Sequence, residues 1–393
     1  MLIKRPFWQQ LIEQYWQQRN IIWLMGIRRV GKTSLCQSLD NIEYLDCERP
    51  RVRQLIEEDI EGFLAAKKGK RVVLDEIHRL QNPSELLKVA ADHYPEVKII
   101  ATGSSTLGAS TKFKDTLTGR KIEIWLTPLF IQEMAAFKNE DINQRFLFGG
   151  LPSFFTSKDL PEDFFKEWID AYWAKDIQDM FRVEKRYSFQ KFTELLLAYS
   201  GGQFEANKFA PACEVSRQTI ANYLSILEET FVVHVIRPYS THKPTEIISA
   251  PKIYGFDTGF ACYARGWREL RKEDMGILWE HCVLNEIQGH LQTHDIHYWR
   301  DKQGHEIDFV IRGKGDKSLS AIECKFMSSS LSIERANTSF SENIEIFRKH
   351  YPHGTNFLVA HDVDTPFQRH YGEIVIHFEN PQSLIAALKS SEN

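Results

Sequence analysis

The apolar positions of residues 21–125 come in short runs separated by amphipathic stretches. Ile21–Met25, Glu43–Cys47, Val72–Glu76, Lys98–Gly103 and Lys121–Leu126 read as strands, with helical periodicity between several of them. Such alternation predicts a parallel sheet covered by helices. A Gly/Pro break at Phe148-Gly149-Gly150-Leu151-Pro152 ends the pattern. From Pro161 to about Thr230 the spacing turns helical and is rich in Phe, Trp and Tyr. A proline-marked, strand-like stretch then leads to Pro251-Lys252-Ile253-Tyr254. After Gly266 come a helix pattern, a hairpin candidate around Arg312-Gly313-Lys314-Gly315, and helix and strand in alternation to the end. The expected fold class is α/β in three parts: an N-terminal parallel sheet with helices at 1–148, a helical module at 149–265, and an α/β domain at 266–393.

Composition narrows the functional classes. The chain has 393 residues, 42% hydrophobic and 26% charged, which excludes a disordered chain, a collagen-like fibre and a small disulfide scaffold. No apolar run reaches the roughly eighteen residues a membrane helix needs, so no membrane partner is expected. The start, MLIKRPFWQQ, has no signal-peptide core, and the six cysteines form no CxxC pair, which points to a reducing, cytoplasmic setting. A net charge of −4 excludes a protein held to nucleic acid by bulk charge. Residues 1–160 carry 23 Lys+Arg against 20 Asp+Glu, whereas residues 161–240 carry 9 against 12 and residues 266–393 carry 14 against 19. Any contact with a polyanion must be local.

The clearest chemistry is Gly26-Ile-Arg28-Arg29-Val30-Gly31-Lys32-Thr33-Ser34, which fits GxxxxGK[ST] between a strand and a helix pattern. Glycines let backbone amides wrap phosphates, and the helix N-terminus adds its dipole. Lys32 is the point charge for the β- and γ-phosphates of ATP, and Thr33 a hydroxyl ligand for Mg²⁺. The strand ending in Asp75-Glu76 supplies a metal-holding carboxylate, Asp75, and a candidate for polarising the attacking water, Glu76. A strand candidate, Ile42–Cys47, lies between the two motifs along the chain, as in the P-loop class with an inserted strand and a catalytic glutamate. Ser104 or Thr102, at the end of the next strand, is a candidate γ-phosphate sensor, and Arg120 a candidate arginine finger, in its own chain or across an oligomer.

These motifs, with Leu126-Thr-Pro128-Leu129-Phe130, Gly149-Gly150-Leu151-Pro152, Lys175-Asp176-Ile177, Ser216-Arg-Gln-Thr219 and Pro251-Lys-Ile-Tyr-Gly-Phe-Asp257-Thr258-Gly259, resemble a widespread prokaryotic family of AAA-like P-loop ATPases. The match runs from about Arg5 to Lys325. It implies an N-terminal ATPase, a central winged helix and a C-terminal domain of restriction-endonuclease-like fold.

In the middle part, Ser216 reads as the N-cap of a helix whose apolar stripe runs through Thr219-Ile-Ala-Asn-Tyr-Leu, and Phe231–Ile236 and Ile253–Phe256 are candidate wing strands. Arg217, Gln218 and Asn222 lie on that helix's exposed face, where a DNA-reading role would put them. The acidic balance of the module favours a lid that binds no DNA. Toward the C-terminus, Glu280 on a helix, Asp308 on one hairpin strand and Glu323-Cys324-Lys325 on the next resemble the PD-(D/E)xK nuclease pattern, with Glu286 in reserve for the helix acid. Asp308 and Glu323 are candidate ligands for a second divalent metal, Mg²⁺ or Mn²⁺, and strand alternation places Lys325 on the face of Glu323. His290, His294 and His297 lack a completing ligand and read as solvated surface residues. Two functions fit: an ATPase that regulates cleavage of DNA, or a nucleotide-driven switch that binds a protein or DNA partner or a second copy.

Overall fold

The computed structural model describes residues 2–103, 117–178, 181, 183–241, 250–313, 318–326 and 341–391. Five strands, β1 (Ile21–Met25), β2 (Ile42–Asp46), β3 (Arg71–Asp75), β4 (Lys98–Thr102) and β5 (Lys121–Trp125), form one all-parallel sheet in the order β2-β3-β4-β1-β5. Every residue of β1 is buried, because helices cover both faces of a parallel sheet and a continuous apolar run suits such a strand. The strand inserted between β1 and β3 is β4. β2, which lies between the two motifs along the chain, forms the sheet edge.

A helical layer follows. The helices Pro152–Phe155, Glu162–Tyr172 and Thr258–Ala264 pack Phe154, Phe165, Trp168 and Phe260 into a core shared with the phosphate-loop side of the sheet. The predicted helix at Ser216 forms as Arg217–Glu229, with Ser216 Oγ accepting from the Thr219 amide. Arg217, Gln218 and Asn222 are exposed on it.

The remaining strands form a second sheet of nine: β6 (Gly202–Gln203), β7 (Val233–Pro238), β8 (Lys252–Gly255), β9 (Ile296–Arg300), β10 (Glu306–Arg312), β11 (Leu319–Lys325), β12 (Asn356–Ala360), β13 (Phe367–Tyr371) and β14 (Ile374–Glu379). Their order is β13-β14-β12-β11-β10-β9-β7-β8-β6. The expected hairpin is present, with β10 antiparallel to β11. β7 and β8, which overlap the two candidate wing strands, pair antiparallel, and β7 also runs parallel to β9 through Arg237–His297 and Pro238–Tyr298. One sheet thus crosses the boundary expected near residue 265. The long helix Met275–Leu291 covers its face and buries Leu278, Trp279, Val283 and Ile287. Among the described residues no helix is long and apolar enough to cross a membrane.

The expectation of solvated histidines is overturned for His290 and His297, while His294 is exposed as expected. His290 stacks on Phe130 at 4.1 Å, with Glu286 Oε2 3.2 Å from its Nε2. His297 is buried beside Asp295, and the ring of His294 lies 4.4 Å from that of Trp125. Their imidazoles fill aromatic contacts that an isolated motif search does not reveal.

Candidate nucleotide cavity and C-terminal acidic centre

The phosphate loop, residues 26–31, leaves the carboxyl end of β1 and feeds the helix Lys32–Gln37. Two glycines are required by geometry. A β-carbon on Gly26 (φ +148°) would lie 2.5 Å from the Leu126 carbonyl oxygen, and Gly31 turns into the helix at φ +101°. Lys32 Nζ donates to Gly26 O at 2.7 Å and Ile27 O at 3.3 Å, so the ammonium sits within its own loop. Burial lowers its pKa below the usual lysine value, opposed by the Glu76 and Asp176 carboxylates.

The parallel order brings the end of β3 beside this loop. Thr33 Oγ1 donates to Asp75 Oδ2 at 3.0 Å. The same carboxylate accepts from Tyr44 Oη and from Thr102 Oγ1, so hydroxyls from β2, β4 and the phosphate-loop helix fix its orientation. The next residue, Glu76, adopts φ +51°, ψ +45°, a left-handed conformation unusual for glutamate and common at functional turns. His78 Nδ1 lies 3.1 Å from Glu76 Oε2. Burial alone would raise the Glu76 pKa, but His78, Lys32 and Arg28 outweigh it and hold the carboxyl below its usual range.

Arg28, Arg29, Gly31, Lys32, Thr33, Ser34, Asp75 and Glu76 border a cavity of about 380 Å³. Its far wall comes from the helical layer: Pro152, Ser153 and Asp176. Arg28 Nε donates to Asp176 Oδ2 at 2.8 Å, and Trp168 Nε1 donates to Arg28 O at 3.0 Å. The motif residues therefore converge. Val30 is buried behind the loop. Ser104 lies outside the described residues, while Thr102 acts through Asp75.

Arg120 does not join them. It precedes β5, ion-paired to Asp92 at 2.7 Å, whereas the cavity lies past the other end of that strand. Four register steps at about 3.3 Å each separate the two ends, roughly 13 Å. Arg120 therefore stands apart from the cavity of its own chain.

A second polar centre forms where β8, β10, β11 and the Met275–Leu291 helix meet. Asp308 and Glu323 face each other one step beyond the Phe309–Ile322 pair, and Asp308 Oδ2 accepts from the Cys324 amide at 2.8 Å. Lys325 Nζ lies 2.6 Å from Glu323 Oε1. Glu280 joins from the helix, where it feels the charges of Asp308, Lys252 and Lys325. Glu286 instead accepts from the Ile131 amide at 2.7 Å, away from the centre. Burial, followed by the Asp308 charge, pushes the carboxyls of Glu280 and Glu323 up to about 8.

Two residues of this centre escaped the sequence reading. Lys252 on β8 pairs with Glu306 and lies 4.0 Å from Asp308, and Tyr254 Oη donates to Glu280 Oε2 at 2.8 Å. Burial disfavours the Lys252 ammonium, but Asp308, Glu280 and Glu306 more than compensate and raise its pKa. The i,i+2 spacing of Lys252 and Tyr254 on a strand was the available signal.

The donor chemistry suits a hard divalent cation, since carboxylate oxygens converge and Glu323 Oε2 is buried without a hydrogen-bond partner. Lysines nevertheless occupy the carboxylates. Among the described residues, no group of three or more His, Cys, Asp or Glu side chains is arranged to hold a metal ion.

Comparisons with known proteins agree with the N-terminal geometry. Residues 18–135 match the family described as an AAA domain. Residues 139–271 and 275–379 match two domains of unknown function, DUF8612 and DUF4143. An uncharacterized protein of Mycobacterium tuberculosis is 23% identical over 327 residues, covering 80% of this chain and 73% of that one. An uncharacterized protein of Haemophilus influenzae is 24% identical over 355 residues, covering 81% and 86%.

Among solved structures, Cdc6p from Pyrobaculum aerophilum is similar at a TM-score of 0.27 and 11% identity, covering 66% of this chain and 92% of that one. A DNA polymerase III gamma subunit-related protein from Thermotoga maritima is similar at 0.24 and 9%, covering 56% and 97%. The N-terminal part is an AAA-type P-loop domain, on the match over residues 18–135 and the motif geometry.

Proposed function

We propose that this protein is a Mg²⁺-dependent ATP hydrolase whose nucleotide cavity is closed by its helical layer. The observation that carries the reading is the Thr33–Asp75 contact of 3.0 Å beside Lys32 and Glu76, at the carboxyl ends of parallel strands where phosphates bind. Asp75 and Thr33 offer one carboxylate and one hydroxyl, the hard oxygen donors that suit Mg²⁺. Bound there, Mg²⁺ would neutralise charge on the terminal phosphates of ATP.

The chain's own groups do the rest. Amides of residues 26–31 cradle the phosphates, and Lys32 exchanges its carbonyl partners for phosphate oxygens. Glu76, kept ionised, orients a water toward the terminal phosphate and accepts its proton. In equilibrium dialysis the wild-type protein is expected to bind ATP only with Mg²⁺ present. Lys32→Ala is expected to weaken that binding by about tenfold or more. Equal ATP binding by the variant would sink the reading.

A second activity is favoured by one observation: Glu280, Asp308, Glu323 and Lys325, which the sequence reading grouped in one nuclease-like pattern, lie close to one another. We infer a nuclease-like centre in which Asp308 and Glu323 would hold a divalent cation and Lys325 would orient the water. DNA product gels in Mn²⁺ are expected to show cleavage that Glu323→Gln removes and Lys32→Ala leaves detectable. Absence of cleavage by wild type in both Mg²⁺ and Mn²⁺ would leave the centre a structural ion-pair cluster.

A further inference from the structure

The nucleotide cavity has a wall that the phosphate-loop chemistry does not require. Asp176 comes from Trp173–Ile177, a π-helical turn that continues the helix Glu162–Tyr172. Its side chain is 2% exposed and holds the Arg28 guanidinium at 2.8 Å. The same layer also grips the loop through Trp168, on the Arg28 carbonyl, and Glu167, 3.5 Å from Arg29. Turns of π-helix recur at functional sites because they cost regular hydrogen bonding. Here the turn sets a third carboxylate, beside Asp75 and Glu76, at a cavity whose Arg28, Arg29 and Lys32 suit phosphate.

Charge makes this arrangement conditional. The cavity is bordered by the cations Arg28, Arg29 and Lys32 and by the carboxylates Asp75, Glu76 and Asp176. A triphosphate with one Mg²⁺ brings about two further negative charges. Asp75 and Glu76 have roles with the metal and the water in the reading above. Asp176 has none, and it sits on the guanidinium that lines the phosphate cavity.

We propose that Asp176 is a specificity-determining residue: it holds Arg28 until the terminal phosphate of a nucleoside triphosphate competes for that guanidinium, and a diphosphate does not reach it. The exchange loosens the grip of the helical layer on the phosphate loop, so triphosphate and diphosphate leave the layer in different states. This rests on the nucleotide-binding reading above.

The test uses the full chain, with Mg-ATP and Mg-ADP as probes and two readouts: binding by calorimetry, and amide hydrogen exchange over residues 162–177. In wild type, ATP is expected to speed exchange there and ADP to leave it unchanged. Asp176→Asn is expected to bind ATP about fivefold tighter, with ADP affinity within about twofold, and to exchange fast without nucleotide. Arg28→Lys attacks the pair from the other side and is expected to lose the preference for ATP over ADP, which keeps the test alive if Asp176→Asn folds poorly.

If Asp176→Asn weakens ATP and ADP alike, or if exchange is the same in every state, Asp176 is a structural fixture and the proposal falls. If wild type binds neither nucleotide, the ATPase reading falls and the latch with it. Normal ATP binding with an indifferent Asp176→Asn overturns the latch alone.

Discussion

Glu76→Gln is expected to lower ATP turnover by roughly 10²–10³-fold while leaving Mg-ATP affinity within about twofold. The argument starts from the backbone. Glu76 sits in the left-handed region at φ +51°, which costs a non-glycine residue about 1–2 kcal/mol and persists only where surrounding contacts enforce it. Here the neighbouring strand ends enforce it: Asp75 is fixed by three hydroxyls, and the Glu76 amide lies 3.4 Å from Thr102 Oγ1 as its donor. The result is a carboxylate beside Lys32 and His78 that is held below its ordinary pKa.

A carboxylate with a lowered pKa stays ionised as pH falls, so the acidic limb of the turnover profile should lie below the usual glutamate range of about 4.3. Glutamine keeps the shape and the contacts to His78 but cannot take a proton. Single-turnover hydrolysis at saturating Mg-ATP checks this. Wild-type turnover in the variant would assign the water-orienting role elsewhere.

Arg145→Ala is expected to destabilise the fold by roughly 3–5 kcal/mol, read by urea denaturation. Arg145 is 2% exposed and touches three partners: Leu129 O and Thr258 Oγ1, each at 3.0 Å, and Asp257 Oδ2 at 3.8 Å. Asp257 is buried, which raises its pKa, and the Arg145 charge with three backbone amides opposes that rise. Removing the guanidinium strands the carboxylate and empties a space that Gly150 has left open, since a β-carbon there would lie 2.5 Å from Arg145. Arg145→Lys should recover little, because a single ammonium cannot serve three directions at once. A loss under about 1 kcal/mol would mean that Asp257 needs no cation. Asp257 also accepts from the Gly150 amide at 2.6 Å, so the pair anchors the turn that leads into Pro152 at the cavity wall.

Local chemistry made the nucleotide half of the molecule legible. GxxxxGK[ST] and a strand ending in Asp75-Glu76 are contiguous signals, and a parallel sheet has few ways to bring such strand ends together. Strand alternation likewise placed Lys325 on the face of Glu323. What stayed hidden was supplied from a distance. Asp176 reaches Arg28 across 148 residues of chain, and Lys252 on β8 reaches Glu306 on β10, a strand that is not its neighbour in the sheet. Arg120 stands apart from the cavity of its own chain for a related reason: motif order along the chain says nothing about which end of a strand faces the site. His290 and His297 misled because a polar residue type was read as solvated, although the His290 ring stacks on Phe130 and His297 is buried.

The nine-stranded sheet has a practical consequence for dissecting this protein. A fragment beginning at residue 275 would start beyond β6, β7 and β8. It would present β9 as an unpaired edge, which invites strand pairing with other copies, and would lack both Lys252 and Tyr254 from the acidic centre. Inactivity or aggregation of such a fragment would therefore be uninformative about the centre itself. A piece that retains every strand bordering the carboxylates must begin upstream of Gly202, and one that also keeps the Arg145 partner of Asp257 must begin upstream of Arg145.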